Sequence, residues 1–288
     1  MAAMGLEGKA VIVTGAGSGL GQAMTLGLAA AGADVLALDI VKSRAAETAK
    51  LAREKKGGKV VAHGCDVRSE EACAEAVETA KSKLGALTGV VNCAGLGMNY
   101  LRPDFHARPL HFWEADPARW QDVIDVNIRG PFLLARAAVP HLIAAKWGRI
   151  VNVTTSFNTM MRGANMPYGQ TKAALEAASS AWSEDLAGSG VTVNVLVPGG
   201  AADTPMIPKQ STYDRKKLVK PVVMVAPICW LMSDESDGVT GKRFLGQLWD
   251  PKASWRDAME KAGSPTAWPG LAAQAAVGQA KPKGGFKG

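Results

Sequence analysis

Short apolar segments alternate with longer, alanine-rich segments over most of this chain. The apolar segments are rich in β-branched residues and almost free of polar positions, which is typical of strands buried on both faces of a parallel sheet. They predict seven strands, at 9–15, 34–39, 59–66, 87–92, 149–154, 191–197 and 243–248. The intervening segments predict helices, chiefly at 20–31, 43–55, 70–84, 118–145 and 167–187. The alternation therefore predicts an α/β fold, a doubly wound and mostly parallel seven-stranded sheet with helices on both faces.

The composition changes after Pro251, where the sequence becomes rich in Gly, Pro, Ala and Lys and ends in "KPKGGFKG". Segments of this composition bury little apolar surface and rarely form a core. We therefore expect a single domain over 1–250 and a C-terminal extension over 251–288, with its last dozen residues disordered.

Composition and charge exclude several classes of protein. The 288 residues are 47% hydrophobic and 20% charged, as in soluble globular proteins. No apolar run approaches the ~18 residues of a membrane span, and the start "MAAMGLEGKAVIV" lacks the features of a signal peptide, so we expect a cytoplasmic protein. The net charge of +7 comes from scattered Lys and Arg, which does not indicate nucleic-acid binding. The four cysteines form no CxxC pair and no HExxH occurs, so we expect reduced thiols and no metal site.

The first predicted strand leads into "TGAGSGLG", residues 14–21. Its glycines allow a tight turn and close approach of a pyrophosphate to the N-terminus of the following helix, where free N–H groups and the helix dipole favour anions. Asp39 ends the second predicted strand and is suited to bind the ribose hydroxyls of adenosine. A glycine-rich string alone could be a flexible loop, but this one lies between a strand and a helix, in register with Asp39. It predicts a dinucleotide-binding site.

A tyrosine and a lysine stand four positions apart in "YGQTK", residues 168–172. On the predicted helix Tyr168 and Lys172 share one face. Lowering a phenol pKa from about 10 by about 3 units requires roughly 4 kcal/mol. One ammonium about 4 Å away supplies that amount at an effective dielectric of 20. We therefore expect Lys172 to lower the pKa of Tyr168, which would make it a general acid and base.

These motifs together resemble the single-domain branch of the short-chain dehydrogenase/reductase family. The spacing Gly-x-x-x-Gly-x-Gly is the first of an ordered set, which continues with "CDV" at 65–67, "NCAG" at 92–95, "DVN" at 125–127, "YGQTK" and "PGG" at 198–200. The resemblance implies a Rossmann-like fold, a homodimer or homotetramer, and hydride transfer between NAD(H) and an alcohol or ketone substrate. Two alternatives stay open: a dehydratase or epimerase of the same family, and an NAD-binding regulatory protein without turnover.

The resemblance also implies the site residues. The catalytic set would be Tyr168, Lys172, Asn127 and the hydroxyl of Ser156 or Thr155. The cofactor-binding set would be Gly15, Gly17, Ser18, Gly19, Leu20, Gly21, Asp39, Ile40, Asp66, Val67, Asn92, Ala94, Gly95, Tyr168, Lys172, Pro198, Gly199 and Thr204. A 2′-phosphate would bring negative charge against the Asp39 carboxylate, and neither Ser18 nor Ile40 compensates for it, so the sequence favours NAD over NADP. Lys42 and Arg44 are the nearby cations that could reverse this preference.

The hydroxyl assignment is open between two residues. In the family a serine commonly precedes the tyrosine by 13 positions, which falls on Thr155, whereas the nearest serine is Ser156. A threonine can donate the same hydrogen bond but brings a methyl group into the pocket. We favour Ser156 on this chemistry, keep Thr155 as the alternative, and expect Thr154 to be structural.

Two segments are candidates for the substrate pocket. The segment between Gly95 and Asn127 is longer and more aromatic than a plain connection requires, and its candidates are His106, His111, Phe112 and Trp113. The segment 201–217 stands where the family has a mobile lid, and its candidates are Met206, Ile207 and Tyr213. Surface positions or ordinary packing are the alternative for each of them.

Overall fold

The centre of the molecule is a twisted, mostly parallel sheet. The structure is a computed structural model that describes residues 5–55, 57–209 and 211–270. Within these residues eight strands pair in the order β3-β2-β1-β4-β5-β6-β7-β8. The strands are β1 (Ala10–Thr14), β2 (Asp34–Asp39), β3 (Val60–Gly64), β4 (Gly89–Asn92), β5 (Gly148–Val153), β6 (Val191–Val197), β7 (Lys242–Leu245) and β8 (Gly263–Pro265). The pairs from β3 to β7 are parallel, and β8 is antiparallel to β7.

Helices connect the strands and cover the sheet. They are α1 (Gly19–Ala30), α2 (Lys42–Arg53), α3 (Glu70–Leu84), α4 (Met98–Leu101), α5 (Pro117–Ile124), α6 (Gly130–Ala144), α7 (Phe157–Met161), α8 (Tyr168–Asp185), α9 (Val225–Leu231) and α10 (Trp255–Ala262). A π-helical turn spans Asp125–Arg129, and 3₁₀ turns span Phe112–Glu114, Arg215–Lys217, Pro221–Met224, Asp234–Ser236 and Gly246–Leu248. Among the described residues, no helix combines the length and the hydropathy that crossing a membrane requires.

The core lies in two layers, one on each face of the sheet. Val11 of β1 packs in a fully buried cluster with Met24 of α1, whereas its neighbour Ile12 packs in a second cluster with Leu134 of α6. Successive residues of a strand point to opposite faces, so both faces of β1 are covered by helices. This is the doubly wound arrangement that the uninterrupted apolar strands predict, and the fold class is confirmed.

The sheet gains a strand from the segment beyond Pro251. There α10 buries Ala258 and Ala262, and β8 pairs with β7, so that Phe244 stands opposite Gly263. The described part of the chain therefore has one strand more than the seven predicted, because a three-residue edge strand leaves too short a pattern to read from sequence. The prediction of disorder in the last dozen residues lies outside the described residues.

Candidate active site

The predicted site residues meet at one edge of the sheet. Because β1, β2, β4, β5 and β6 are parallel, the loops that follow their carboxyl ends emerge together. The strand order reverses between β1 and β4, and ligands of open α/β sheets bind in the crevice at such a point.

The loop between β1 and α1 requires its glycines. Gly15 and Gly19 have positive φ angles of 65° and 55°, which side chains rarely tolerate. A Cβ at Gly21 would lie 2.2 Å from the carbonyl oxygen of Gly15. Ser18 is the N-cap of α1 and makes no side-chain hydrogen bond to the helix, and Leu20 packs against the core. The bare backbone and the N-terminus of α1 are suited to a pyrophosphate.

Asp39 lies against the glycine-rich loop. Its Oδ2 accepts a hydrogen bond from the backbone N–H of Gly17 at 3.1 Å, and its Oδ1 accepts one from Val41 at 2.9 Å. A Cβ at Gly17 would come within 2.5 Å of Cβ of Arg44, so the base of the arginine side chain also lies against the glycine-rich loop. Ile40 is largely exposed. The carboxylate is thus fixed where the sequence predicts the adenosine ribose to bind, with one cation nearby.

Asp66 is held by an arginine that the sequence analysis missed. Arg68 donates from Nε to Oδ1 at 3.0 Å and from Nη2 to Oδ2 at 2.7 Å, and these hydrogen bonds lower the pKa of Asp66. Arg68 also donates from Nη1 to Asp122 at 2.9 Å. Val67 is buried against the backbone of Gly130. Arg68 stands two residues after the aspartate of "CDV", and this spacing could have indicated the contact from sequence.

The residues after β4 serve mainly to fix the sheet edge. Asn92 is buried and donates from Nδ2 to Oδ1 of Asn152 in β5 at 2.8 Å. The N–H of Ala94 donates to the hydroxyl of Thr14 at 3.0 Å. A Cβ at Gly95 would lie 3.6 Å from Nζ of Lys172. The structure therefore places Gly95 in the crevice and the side chain of Asn92 inside the sheet.

Asn127 interrupts the helix predicted over 118–145. It is fully buried in the π-helical turn between α5 and α6. Its Oδ1 accepts from the N–H of Leu96 at 2.8 Å, and its Nδ2 donates to the Leu96 carbonyl at 2.9 Å and to Oγ1 of Thr171 at 3.0 Å. π-Helical turns are rare and occur frequently at functional sites. Here the turn ties the loop after β4 to α8.

Tyr168 and Lys172 project from the first turns of α8. Lys172 is buried and donates from Nζ to the carbonyl of Val153 at 2.9 Å, whereas Tyr168 keeps part of its surface exposed. Burial lowers the pKa of Lys172 to about 8 and raises that of Tyr168 to about 12. The expected lowering of the Tyr168 pKa by Lys172 is therefore wrong for the chain alone. Burial, and not the lysine, sets the direction of the phenol's pKa in the chain alone.

The structure separates the two candidate hydroxyls. The Thr155 side chain lies near enough to the Tyr168 phenol to lower its pKa, against the larger effect of burial. Ser156 instead caps α7, where its Oγ accepts from the N–H of Thr159 at 3.2 Å and lies 2.9 Å from Thr159 Oγ1. The geometry favours Thr155, contrary to the preference for Ser156. Serine is a preferred N-cap residue, so the sequence could have indicated that Ser156 caps a helix.

The turn after β6 and the segment 201–217 close over the glycine-rich loop. Gly199 has a φ of 97°, and the carbonyl of Pro198 accepts from the N–H of Gln247 at 3.2 Å. A Cβ at Gly19 would lie 2.9 Å from the methyl of Thr204. A cavity of about 390 Å³ opens here, lined by Gly17, Ser18, Gly19, Gln22, Ala23, Leu26, Asp203, Pro205 and Pro221.

The candidates for the substrate pocket fall into two groups. The rings of His106 and Tyr213 meet edge to face with centroids 4.5 Å apart, and burial lowers the pKa of His106. Met206 comes within 2.6 Å of a Cβ placed on Gly97, and Ile207 is buried. The aromatic segment and the segment 201–217 therefore contact each other.

The second group lies on the surface. Phe112 and Trp113 are 67% and 70% exposed, and His111 stacks on Trp113 at 4.7 Å. These three residues therefore occupy surface positions, which was the alternative to lining a substrate pocket. In the described ranges, no group of three or more His, Cys, Asp and Glu side chains is placed to hold a metal ion.

The sheet is doubly wound, and its switch point brings together a glycine-rich turn, a buried asparagine and the helix that carries Tyr168 and Lys172. This arrangement defines a dinucleotide-binding α/β protein. A family model described as short chain dehydrogenase matches residues 9–214. The chain belongs to this family of oxidoreductases.

Relatives and solved structures agree with this assignment. A 3-oxoacyl-(acyl-carrier-protein) reductase of Thermotoga maritima is 34% identical over 83% of this chain and 96% of its own. A 3-ketoacyl-(acyl-carrier-protein) reductase of Brucella melitensis, solved with NADH, has a TM-score of 0.72 at 28% identity and covers 83% of this chain and 96% of its own. A putative NAD(P)-dependent gluconate 5-dehydrogenase of Beutenbergia cavernae, solved with NADP at low occupancy, has a TM-score of 0.73 at 28% identity and covers 84% and 96%.

Proposed function

We propose that this protein transfers a hydride between NAD(H) and an alcohol or ketone, with Tyr168 as the general acid and base. One observation carries the proposal. Tyr168 is half-buried at the switch-point crevice, with Thr155 near enough to lower the pKa of its phenol and Lys172 on the same helix face. Around the crevice the glycine-rich loop leaves bare backbone where any side chain would clash, which fits a bound dinucleotide. When bound, NAD would supply the hydride acceptor or donor and, in its oxidised form, a positive charge.

The chain's own residues handle the proton. At neutral pH the raised pKa keeps the proton on Tyr168, which suits donation to a carbonyl oxygen. In the reverse direction the phenolate takes the proton of an alcohol. Thr155 orients and polarises the substrate oxygen through its hydroxyl. Lys172 and the buried Asn127 hold the floor of the crevice through hydrogen bonds to the carbonyls of Val153 and Leu96.

The preference for NAD rests on Asp39. Its carboxylate is fixed at the glycine-rich loop by two backbone N–H groups, and ribose hydroxyls would donate to it. A phosphate on that ribose would meet like charge at a cost of roughly 4 kcal/mol at 4 Å and an effective dielectric of 20. Arg44 argues for NADP instead, because the base of this cationic side chain lies beside Gly17. Because the backbone fixes the Asp39 carboxylate at this loop, we propose NAD.

A spectrophotometric screen tests the proposal directly. Absorbance at 340 nm would be followed with NAD and NADP against alcohols, and with NADH and NADPH against ketones, including 3-oxoacyl thioesters and sugar acids. NADH binding, followed by energy transfer from tryptophan, is the control for a poor substrate panel. Binding and turnover with at least one alcohol–ketone pair support the proposal. Absence of nicotinamide dinucleotide binding would overturn it.

A further inference from the structure

A buried ion pair lies beneath the segment that carries Thr155. Glu176 of α8 is fully buried, and Arg243 of β7 is 4% exposed. Arg243 donates from Nε to Oε1 of Glu176 at 2.9 Å. Burying two such charges costs several kcal/mol per ion unless good geometry and further hydrogen bonds compensate. The remaining contacts of this pair therefore indicate what it is for.

Those contacts converge on residues 154–157. Oε2 of Glu176 accepts a hydrogen bond from Oγ1 of Thr154 at 2.7 Å. Nη2 of Arg243 donates to the backbone carbonyl of Thr155 at 2.9 Å, and the guanidinium lies 4.1 Å from the ring centroid of Phe157. Thr154 has the structural role expected for it. The pair thus fixes a side chain, a carbonyl and a ring within four consecutive residues.

The same helix carries the phenol and the carboxylate. Tyr168, Lys172 and Glu176 stand at i, i+4 and i+8 of α8 and so share one face. The carboxylate therefore ties the chain next to Thr155 to the helix that carries Tyr168. We propose that Glu176 and Arg243 are positioning residues that hold Thr155 beside the Tyr168 phenol. This inference rests on the proposed function, in which these two groups face the substrate oxygen.

The chain beyond β8 completes the arrangement. The N–H of Ala267 donates to Oε1 of Glu176 at 3.3 Å, and the ring of Trp268 lies 5.7 Å from that of Phe157. These residues belong to the segment that the sequence assigns to an extension. They supply a further donor to the buried carboxylate and a second ring beside Phe157.

Arg243→Met is the test, and Arg149→Met is its matched control. Arg149 is also a buried arginine paired with a carboxylate, that of Asp237, but it lies at the opposite end of β5 from Thr155. Both variants leave a carboxylate without its guanidinium, buried for Glu176 and largely exposed for Asp237. Only the Arg243 variant should alter the reaction: kcat falls at least about tenfold while KM for the cofactor changes less than about twofold.

The pH profile separates positioning from loss of stability. Oxidation needs the phenolate, and the Thr155 side chain lowers the Tyr168 pKa. Displacing Thr155 therefore moves the rising limb of the oxidation rate to higher pH in Arg243→Met and leaves it in place in Arg149→Met. Thr155→Val should give the same shift, and the double variant with Arg243→Met should add little to it, because both changes act through the same hydroxyl. Full additivity would overturn the proposal.

Two further measurements keep the test decisive. If Arg243→Met does not fold, Arg243→Lys keeps the charge but loses the second donor to Thr155, and the same shift is expected. Amide hydrogen exchange over residues 154–157 should be faster in the Arg243 variant and unchanged in Arg149→Met. Equal exchange in the two variants would overturn the positioning role. A wild-type protein without turnover would instead overturn the proposed function, and hydrogen exchange would still decide the positioning.

Discussion

The chemistry of the site begins with two side chains that burial pushes in opposite directions. A charged lysine and a charged phenolate both lose hydration in the crevice, so the pKa of Lys172 falls and that of Tyr168 rises. The protein alone therefore disfavours the charged form of each group. The neighbouring side chain of Thr155 lowers the pKa of Tyr168. The site thus carries an electrostatic cost whenever Lys172 is charged, as expected of functional groups held in a rigid scaffold.

Lys172→Met should stabilise the fold at neutral pH. Between the folded pKa of about 8 and the ordinary value of 10.5, the unfolded chain binds more protons at this lysine than the folded chain does. The wild type therefore gains stability as pH rises through this window. The variant removes the cost of burying the charge, roughly 3 kcal/mol as an upper bound at 1.36 kcal/mol per unit. Urea unfolding at pH 7 and pH 10 should show an advantage at pH 7 that shrinks at pH 10. A variant less stable than wild type at pH 7 would contradict this.

Asp39→Ala should weaken the preference for NAD. The lost charge-assisted hydrogen bonds contribute roughly 1.5–3 kcal/mol, so kcat/KM with NAD should fall about 10- to 100-fold. Activity with NADP should stay level or rise, because the like charge is gone. Arg44→Ala is the control and should reduce NADP use alone. A wild type that uses NADP better than NAD would show that Arg44 governs the site.

At the scale of elements, the sequence predicts what local patterns determine. The β-branched strands and the glycine turn at Gly15 follow from propensity and periodicity, and these predictions are confirmed. The break between α5 and α6 depends on Asn127 bonding to Leu96, a contact between distant segments, so periodicity could not show it. The charged Arg243 directly before Phe244 and Leu245 in the same strand was a visible signal of a buried pair.

The capping role of Ser156 gives a prediction for α7. Ser156→Ala removes an N-cap from a short helix, so it should cost about 1 kcal/mol of stability and change kcat little. Thr155→Val should leave stability nearly unchanged and lower kcat by about a hundredfold, because the hydroxyl that polarises the substrate oxygen is lost. Thermal unfolding and steady-state kinetics on both variants measure the two effects. The reverse order of kcat losses would return the oxygen-orienting role to Ser156.

At the scale of the whole molecule, residues 251–270 are part of the architecture. Trp249 and Trp255 pack around the buried Trp230, and β8 extends the sheet. Because Ala267 reaches Glu176, this segment also connects the edge of the sheet to the crevice.

Self-association stays a prediction at this scale. The two long helices α6 and α8 are rich in alanine, which permits close approach of helices, and Phe132 of α6 is about half exposed. We expect a homodimer or homotetramer, since most soluble oligomers are symmetric assemblies of one chain. Light scattering at micromolar concentration should give a mass of two or four chains. A monomer at that concentration would contradict the expectation.

The most direct test of the account is the turnover of Tyr168→Phe. The substitution keeps the ring and removes the oxygen that carries the proton, so the crevice keeps its shape. We expect kcat to fall by at least about a hundredfold, the size of a general acid–base contribution, while the Kd for NADH stays within about twofold of wild type. A variant that binds NADH normally and keeps more than about a tenth of the wild-type kcat would contradict the assignment of Tyr168 as the acid and base.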